Sequence, residues 1–572
     1  MISRNTILLS SLALTLLAAC SPESGQTSQT RYADLVLRDG AIYTVDAKRT
    51  WQEAVAIRDG EIVYVGSNQG VNEFAGPDTQ VVDLKGRLVL PGLQDAHIHP
   101  ISGGVEASAC NLNGMTTADQ YLATIKAYAE ANPDLPWITG GGWLMSAFGP
   151  GAMPRKELID QIVPDRPVLL YSSDGHSAWA NSKALELAGI TRDTPDPADG
   201  RIDRHPDTGE LVGSLQEGAG SLLNHVVPPT SDTQLRDGLR YSIKMLNAYG
   251  ITSIQDANVN DRDLQAYQAL DESGELTLRV EGSQWWSRDQ GVEQLAAMAE
   301  RRKKYGKGHV RANTVKIMQD GVMENYTAVM LEPYLMDGDV RGIPMFDPQA
   351  LKDAVTAADA QGFQVHFHAI GDGAIRQSLD AIEAARKVNG PNDHRHHLSH
   401  IQLIDPQDIP RFAELDAIAN FQPLWAFADE YIKDLTIPFI GEERTRWMYP
   451  INSVLQSGGM IAFGSDWSVS TANPYTEMEV AVTRMNPDDD QDSVFIPEER
   501  ISLDEAIAAF TINAAYTNHL DTQTGSIETG KLADLVVLDQ NLFEIPPSKI
   551  SDTRALVTLF EGKTVHGDLS AL

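Results

Sequence analysis

Cysteine is almost absent. Cys20 and Cys110 are the only two in 572 residues, so a disulfide scaffold and a cysteine-based zinc cluster are both excluded by count. Cations are scarce too: Lys and Arg number 45 against 79 Asp and Glu, a net charge of −34. A chain so acidic repels phosphate backbones, which argues against nucleic acid as a partner. Long apolar runs are also missing. The longest candidate, Ile7 to Ala19, has 13 residues and cannot span the ~30 Å of a bilayer core as a helix. No short-period repeat appears. What remains is 42% apolar and 22% charged, the composition of a packed soluble enzyme with ample material for a large core.

The short apolar run reads as an address. Arg4 precedes it, and it ends Leu17-Ala18-Ala19-Cys20, which resembles the lipobox of bacterial lipoproteins. Residues 1–19 are then a signal peptide, Cys20 is the lipidated residue, and the polar stretch 20–30 is a tether. Anchoring through Cys20 is the only membrane contact expected. Ser21 differs from the aspartate that retains lipoproteins at the inner membrane, which favours a periplasm-facing protein on the outer membrane. Cys110 reads as a small buried apolar residue.

Two similar β-rich segments follow, Leu35 to Val45 around Asp39-Gly40 and Val55 to Val65 around Asp59-Gly60. Asp-Gly between apolar runs predicts a hairpin, because a type I′ turn needs two residues with positive φ. The far end has the same texture, in Ala533 to Asp539 and Ala555 to Val565. These tail strands need a sheet to join. One small β-sandwich built from residues 31–90 and 525–572 satisfies both ends. Between them, at 91–524, strand and helix alternate, with candidate strands ending near His97, Asp256, Gly282, Ile317, His368, His400, Gln422 and Asp466. Helical spacing marks 234–248, 292–304, 348–361 and 374–388. Eight such alternations predict an α/β fold, a (β/α)8 TIM-like barrel. Residues 101–230 are too long for a loop and read as an insertion at the barrel mouth.

The chemistry lies at the strand ends. In Asp95-Ala96-His97-Ile98-His99, residues i and i+2 of a strand share a side, so two imidazoles converge where a divalent metal could bind. Lys316 sits inside the apolar strand Asn313 to Ile317. A buried ammonium must be neutralised, paired (Asp320 is near in sequence) or carboxylated to an anionic ligand. A second His-x-His, His366-Phe367-His368, precedes Ala369-Ile370-Gly371-Asp372; His397-Leu398-Ser399-His400 ends another strand, and Gly464-Ser465-Asp466 follows a third. A barrel gathers such ends around one centre. In the insertion, His176 lies in Asp174-Gly175-His176-Ser177, and reads either as a substrate hydrogen-bond donor or as a cap for a helix at 182–187. Trp143, after Gly140-Gly141-Gly142, reads as a substrate-contacting pocket wall or part of a turn. Trp285 and Trp286 are further candidate walls, His394, His396 and His397 loop or helix-edge residues, Asp488-Asp489-Asp490 a solvated loop, and Glu217 has no assignable role.

Together these motifs, with Pro91-Gly92 and Gly530-Lys531-Leu532-Ala533-Asp534, resemble the amidohydrolase superfamily over about 31–570. The closest likeness is to its amidohydrolase-3 branch, the YtcJ-like metal-dependent hydrolases that include N-substituted formamide deformylase. The resemblance implies a divalent metal, zinc by preference, as one ion or two. His97 and His99 would hold the first, His368 and His400 the second, with carboxylated Lys316 as bridge. Asp466 would touch the first ion and serve as the catalytic proton shuttle. Activated hydroxide would cleave a C–N bond other than a peptide bond in a small molecule, an amide or N-substituted formamide. A mononuclear deaminase or an ester hydrolase is the alternative chemistry, and a non-catalytic ligand-binding lipoprotein the alternative class. Homo-oligomerisation is left open.

Overall fold

The computed structural model describes residues 32–148, 153–489, 491 and 493–572. The signal-peptide and lipidation expectations, Cys20 included, lie outside the described residues. Among those described, no helix is long and apolar enough to cross a membrane.

The central feature is an eight-stranded, all-parallel sheet. Its strands are β1 (Leu93–Ile98), β2 (Ile251–Val259), β3 (Arg279–Trp285), β4 (Val310–Met318), β5 (Gln364–Ala369), β6 (His397–His400), β7 (Ile418–Phe421) and β8 (Met460–Phe463). Neighbours in sequence are neighbours in the sheet, from β1 round to β8. All six residues of β1 and of β5 are buried, as expected where helices cover the outer face and side chains fill the interior. The first and last strands nearly close the ring. Just past β8 the Asp466 N–H donates to the His97 carbonyl at 2.7 Å, and the Asn420 side-chain amide of β7 donates to the Ala96 carbonyl at 2.9 Å.

The covering helices follow the predicted periodicity. Asp372–Asn389 buries Ile375, Leu379, Ile382 and Ala385 at spacings of three and four. Asp232–Ala248 starts in a capping box of Ser231 and Gln234.

Both ends of the described chain meet in a separate apolar core. A four-stranded sheet, from Leu35–Arg38, Ala54–Arg58, Glu61–Gly66 and Gln80–Asp83, faces a six-stranded sheet in which Leu88–Pro91 pairs with Leu535–Leu538. Leu35, Leu37, Val55 and Ile57 pack there with Leu535, Val537, Val557 and Leu559.

One local expectation is corrected. Asp59-Gly60 makes a true hairpin, with φ of 52° and 82°. Asp39-Gly40 does not: Leu35–Arg38 pairs with Ala54–Arg58, while Ala41–Tyr43 joins the other sheet. There the dipeptide turns a corner between layers, and a Cβ on Gly40 would lie 2.5 Å from Leu84.

After β1 comes a further six-stranded sheet, ordered Gly200–Arg204, Leu211–Glu217, Ser177–Ala180, Val168–Ser172, Ile138–Trp143 and Cys110–Asn111. It has its own core around Tyr121, Trp143 and Trp179. Cys110 is buried and free.

Candidate metal centre and active site

The barrel places Asp466 at its focus. Asp466 adopts φ of +52°, a left-handed conformation that aspartate tolerates better than most residues. The approach depends on Gly464, where a Cβ would sit 2.4 Å from the His97 backbone nitrogen. Asp95 locks the same junction: its carboxylate accepts from the N–H of His97 at 3.0 Å and of Ser465 at 3.1 Å. β1 and the β8 turn are therefore held as one unit.

Around Asp466 the imidazoles gather. His97 Nε2 lies 3.2 Å and His99 Nε2 3.1 Å from Asp466 Oδ1, and His400 Nδ1 lies 4.0 Å from Oδ2. His97, His400 and Asp466 each offer a ligand atom, all within 4.8 Å of one another. His368 joins from β5, its ring centroid 4.5 Å from that of His400.

Supporting side chains set the ring orientations. Gln422 Oε1 accepts from His400 Nδ1 at 2.8 Å, which leaves Nε2 with its lone pair free. His368 Nδ1 lies 3.3 Å from Asp320. The Asp320 carboxylate also accepts from the backbone N–H of Val329, Ile370 and Gly371. Asp320 thus serves β5 and does not pair with Lys316.

Lys316 lies one layer below His368. Register pairs it with His366, and His366 with His397. It is buried, its Nζ lies 3.5 Å from His366 Nε2, and burial pulls its pKa down to about 7. His366 is a member of the cluster that the sequence reading passed over for its i+2 neighbour. Its Nε2 meets His97 Nδ1 at 2.8 Å and Ser399 Oγ at 2.9 Å, and its Nδ1 meets Ser283 Oγ at 3.0 Å. The His-x-His spacing was the available signal. His397 stands in β6 inside the barrel, not at a loop or helix edge. His394 and His396 instead flank Asp359, each 2.9 Å from its Oδ2.

The residues present suit a divalent cation. Asp466 Oδ1 is buried and makes no hydrogen bond among the described residues. Burial, reinforced by Lys316, holds the His97 imidazole down to about 3, so its lone pair stays available at neutral pH. Opposing burial, the imidazoles of His97 and His99 hold the Asp466 carboxyl well below its usual range.

Above this nest lies a cavity of about 610 Å³, lined by His176, His368, His400 and Asp466 among others. His176 reaches it from the insertion. Its Nδ1 lies 2.9 Å from Glu217 Oε2, and its ring centroid 5.2 Å from that of His368. Burial opposes a charge on this ring, yet Glu217 outweighs it and raises the pKa to about 9. Glu217 is itself held by Thr327 Oγ1 at 2.7 Å. That carboxylate, without an assignable role in the sequence, orients His176.

Trp143 does not line the cavity. It is 0% exposed, ends a strand of the insertion, donates its indole N–H to the Leu170 carbonyl at 3.0 Å, and packs against Trp179. The three preceding glycines belong to that strand and form no turn. Trp286 is core, and Trp285 stands outside the cavity lining. Asp488 does line it. The aromatic wall that sequence reasoning missed is Trp425, stacked on His400 with 5.5 Å between centroids and 16° between planes.

A parallel barrel carrying imidazoles and one aspartate at its strand ends is the architecture of a metal-dependent hydrolase. A sequence model of the amidohydrolase family matches residues 80–566. The chain belongs to the amidohydrolase family. It is 34% identical to Protein LONG AFTER FAR-RED 3 of Arabidopsis thaliana, over 93% of this chain and 92% of that one. It is 28% identical to N-substituted formamide deformylase of Arthrobacter pascens, over 93% of this chain and 98% of that one. Among solved structures, a metal-dependent hydrolase from Pyrococcus horikoshii superposes with a TM-score of 0.71 at 22% identity, covering 93% of this chain and 100% of that one.

Proposed function

We propose that the chain hydrolyses a C–N bond of a small amide, an N-substituted formamide being the model substrate. The observation that carries this reading is Asp466 Oδ1, buried, without a hydrogen bond, and within 3.1–3.2 Å of two imidazole nitrogens. His97, His99, His400 and Asp466 would hold a divalent ion, with His368 and a carboxylated Lys316 available for a second; imidazole and carboxylate ligands suit zinc. When bound, the ion supplies Lewis acidity and lowers the pKa of water toward neutrality.

The chain's own groups do the rest. Asp466, kept ionised, takes a proton from the attacking water and returns it to the leaving nitrogen. His176, charged and fixed by Glu217, is the donor available to the carbonyl oxygen as negative charge develops on it. Lys316, buried with its carboxylate neighbour engaged elsewhere, is the group for CO₂ to modify. Formamide cleavage by the Arthrobacter relative supports the substrate class. The Leu17-Ala18-Ala19-Cys20 leader supports an envelope-anchored address.

Elemental analysis of the purified protein should find one or two divalent ions per chain. Formamide and amide cleavage should vanish on chelation and return with metal. Asp466→Asn should keep most of the metal and lose about 10³-fold or more in kcat/KM. Full activity in the chelated protein or in the Asp466→Asn protein would overturn the reading.

A further inference from the structure

The cavity wall carries a charge pattern that hydrolysis does not need. Beyond Asp466, it is lined by Asp174, Glu324, Asp429, Asp488 and Asp552 and, among the described residues, by no lysine or arginine, while the charge on His176 is matched by Glu217. The overall acidity of the chain does not account for this, because surface carboxylates are solvated and these are not all so. Glu324 is 8% exposed. Its Oε1 accepts from Gln402 Nε2 at 3.1 Å and Thr436 Oγ1 at 3.2 Å, and among the described residues no side chain donates to Oε2. Among the described residues, neither Glu324 nor Asp429 has an ion-pair partner. Burial raises both, with added repulsion from Asp174 on Glu324 and from Glu324 on Asp429, which is pushed up to about 7. Asp429 is half-buried, and its Oδ1 accepts the Ile432 N–H at 2.9 Å. A buried carboxylate such as Glu324 is costly without counter-charge unless something else supplies it. The same wall presents Trp425, Phe427 and Tyr431, aromatic side chains of the kind that attract cations over their faces.

Resting on the amide-hydrolase reading, we propose that the pocket selects an amide whose non-reacting end bears an organic ammonium group, received by Glu324 and Asp429 against the aromatic wall. The cation brings positive charge to a partly buried site, whereas a neutral isostere leaves the carboxylates unpaired.

Two matched pairs test this on the metal-loaded, full-length protein. In calorimetry, choline is compared with 3,3-dimethylbutan-1-ol, its neutral isostere. In turnover, N-formyl-1,5-diaminopentane is compared with N-formylhexylamine, in which a methyl replaces the ammonium. The cation should be preferred about tenfold or more in both, which corresponds to about 1.4 kcal/mol. Glu324→Gln and Asp429→Asn should each shrink that ratio severalfold. Equal or inverted ratios in the wild-type protein would overturn the proposal, as would an unchanged ratio in both folded variants. Should a variant fail to fold, the wild-type ratio decides alone. If neither formamide is cleaved but choline still outbinds its isostere, the amide reading falls and the charge selection stands.

Discussion

Single residues show most sharply what local pattern can and cannot reveal. His97, His99, His400 and Asp466 were legible because strand alternation and a barrel's geometry place such groups together whatever loops intervene. Glu217 was not, because its partner His176 sits 41 residues away, in the bend before another strand of the insertion. Trp143 was misread because a glycine triplet suggests a turn, and only the sheet it joins reveals it as core. Trp143→Ala should therefore act on stability, costing about 3–5 kcal/mol as for other buried aromatics. Urea unfolding should register that loss in full, while KM for a cleaved formamide changes little in the fraction that remains folded. A large KM effect with unchanged stability would restore the pocket-wall reading.

At the level of elements, the two Asp-Gly dipeptides make the limit plain. Both carry the same turn signal, yet only Asp59-Gly60 joins paired strands, since Leu35–Arg38 finds its partners at Ala54–Arg58 and Gln80–Asp83. Partner choice is a long-range property that a dipeptide does not encode. The barrel strands were easier, because several of them, such as β1 and β8, lead from apolar residues into a buried polar group. The closing contact between β8 and β1 yields a prediction of its own. In Gly464→Ala the new methyl meets the His97 backbone at 2.4 Å, and relief requires separating β1 from the β8 turn. Overpacking of this kind costs about 1–3 kcal/mol. Because that separation moves the His97 imidazole away from Asp466 and His400, metal content should fall together with the melting temperature. A variant that melts earlier yet retains its metal would show that the ligand cluster tolerates the displacement.

For the whole molecule, the contact between the barrel and the two-ended sandwich is electrostatic as well as apolar. Arg279, buried at the start of β3, is paired to both Asp534 and Glu561. His309 lies 2.6 Å from Asp271 and 3.2 Å from Glu561. The hydrogen bond to Glu561 raises the His309 pKa from 6.5, and in return that of Glu561 falls from 4.5 to about 2. A raised histidine contributes fully below 6.5 and loses its contribution as pH climbs through its folded value. A lowered carboxyl contributes fully above 4.5 and loses it as pH falls toward 2. The pair therefore stabilises most between about 4.5 and 6.5. His309→Gln should lower the melting temperature more at pH 5.5 than at pH 8.5; an equal loss at both would show that the ring acts by packing alone.

The pairing of Leu88–Pro91 with Leu535–Leu538 also bears on biosynthesis. Translation runs from the amino end, so the early strands leave the ribosome more than four hundred residues ahead of the partner that completes their sheet. Until those late strands emerge, Leu88–Pro91 has one open edge and the apolar side chains beneath it are wet. The barrel can be laid down strand by strand as it is made, but this smaller layer must wait for Leu535–Leu538, and a nascent chain stalled short of residue 535 would carry an unsealed, aggregation-prone edge.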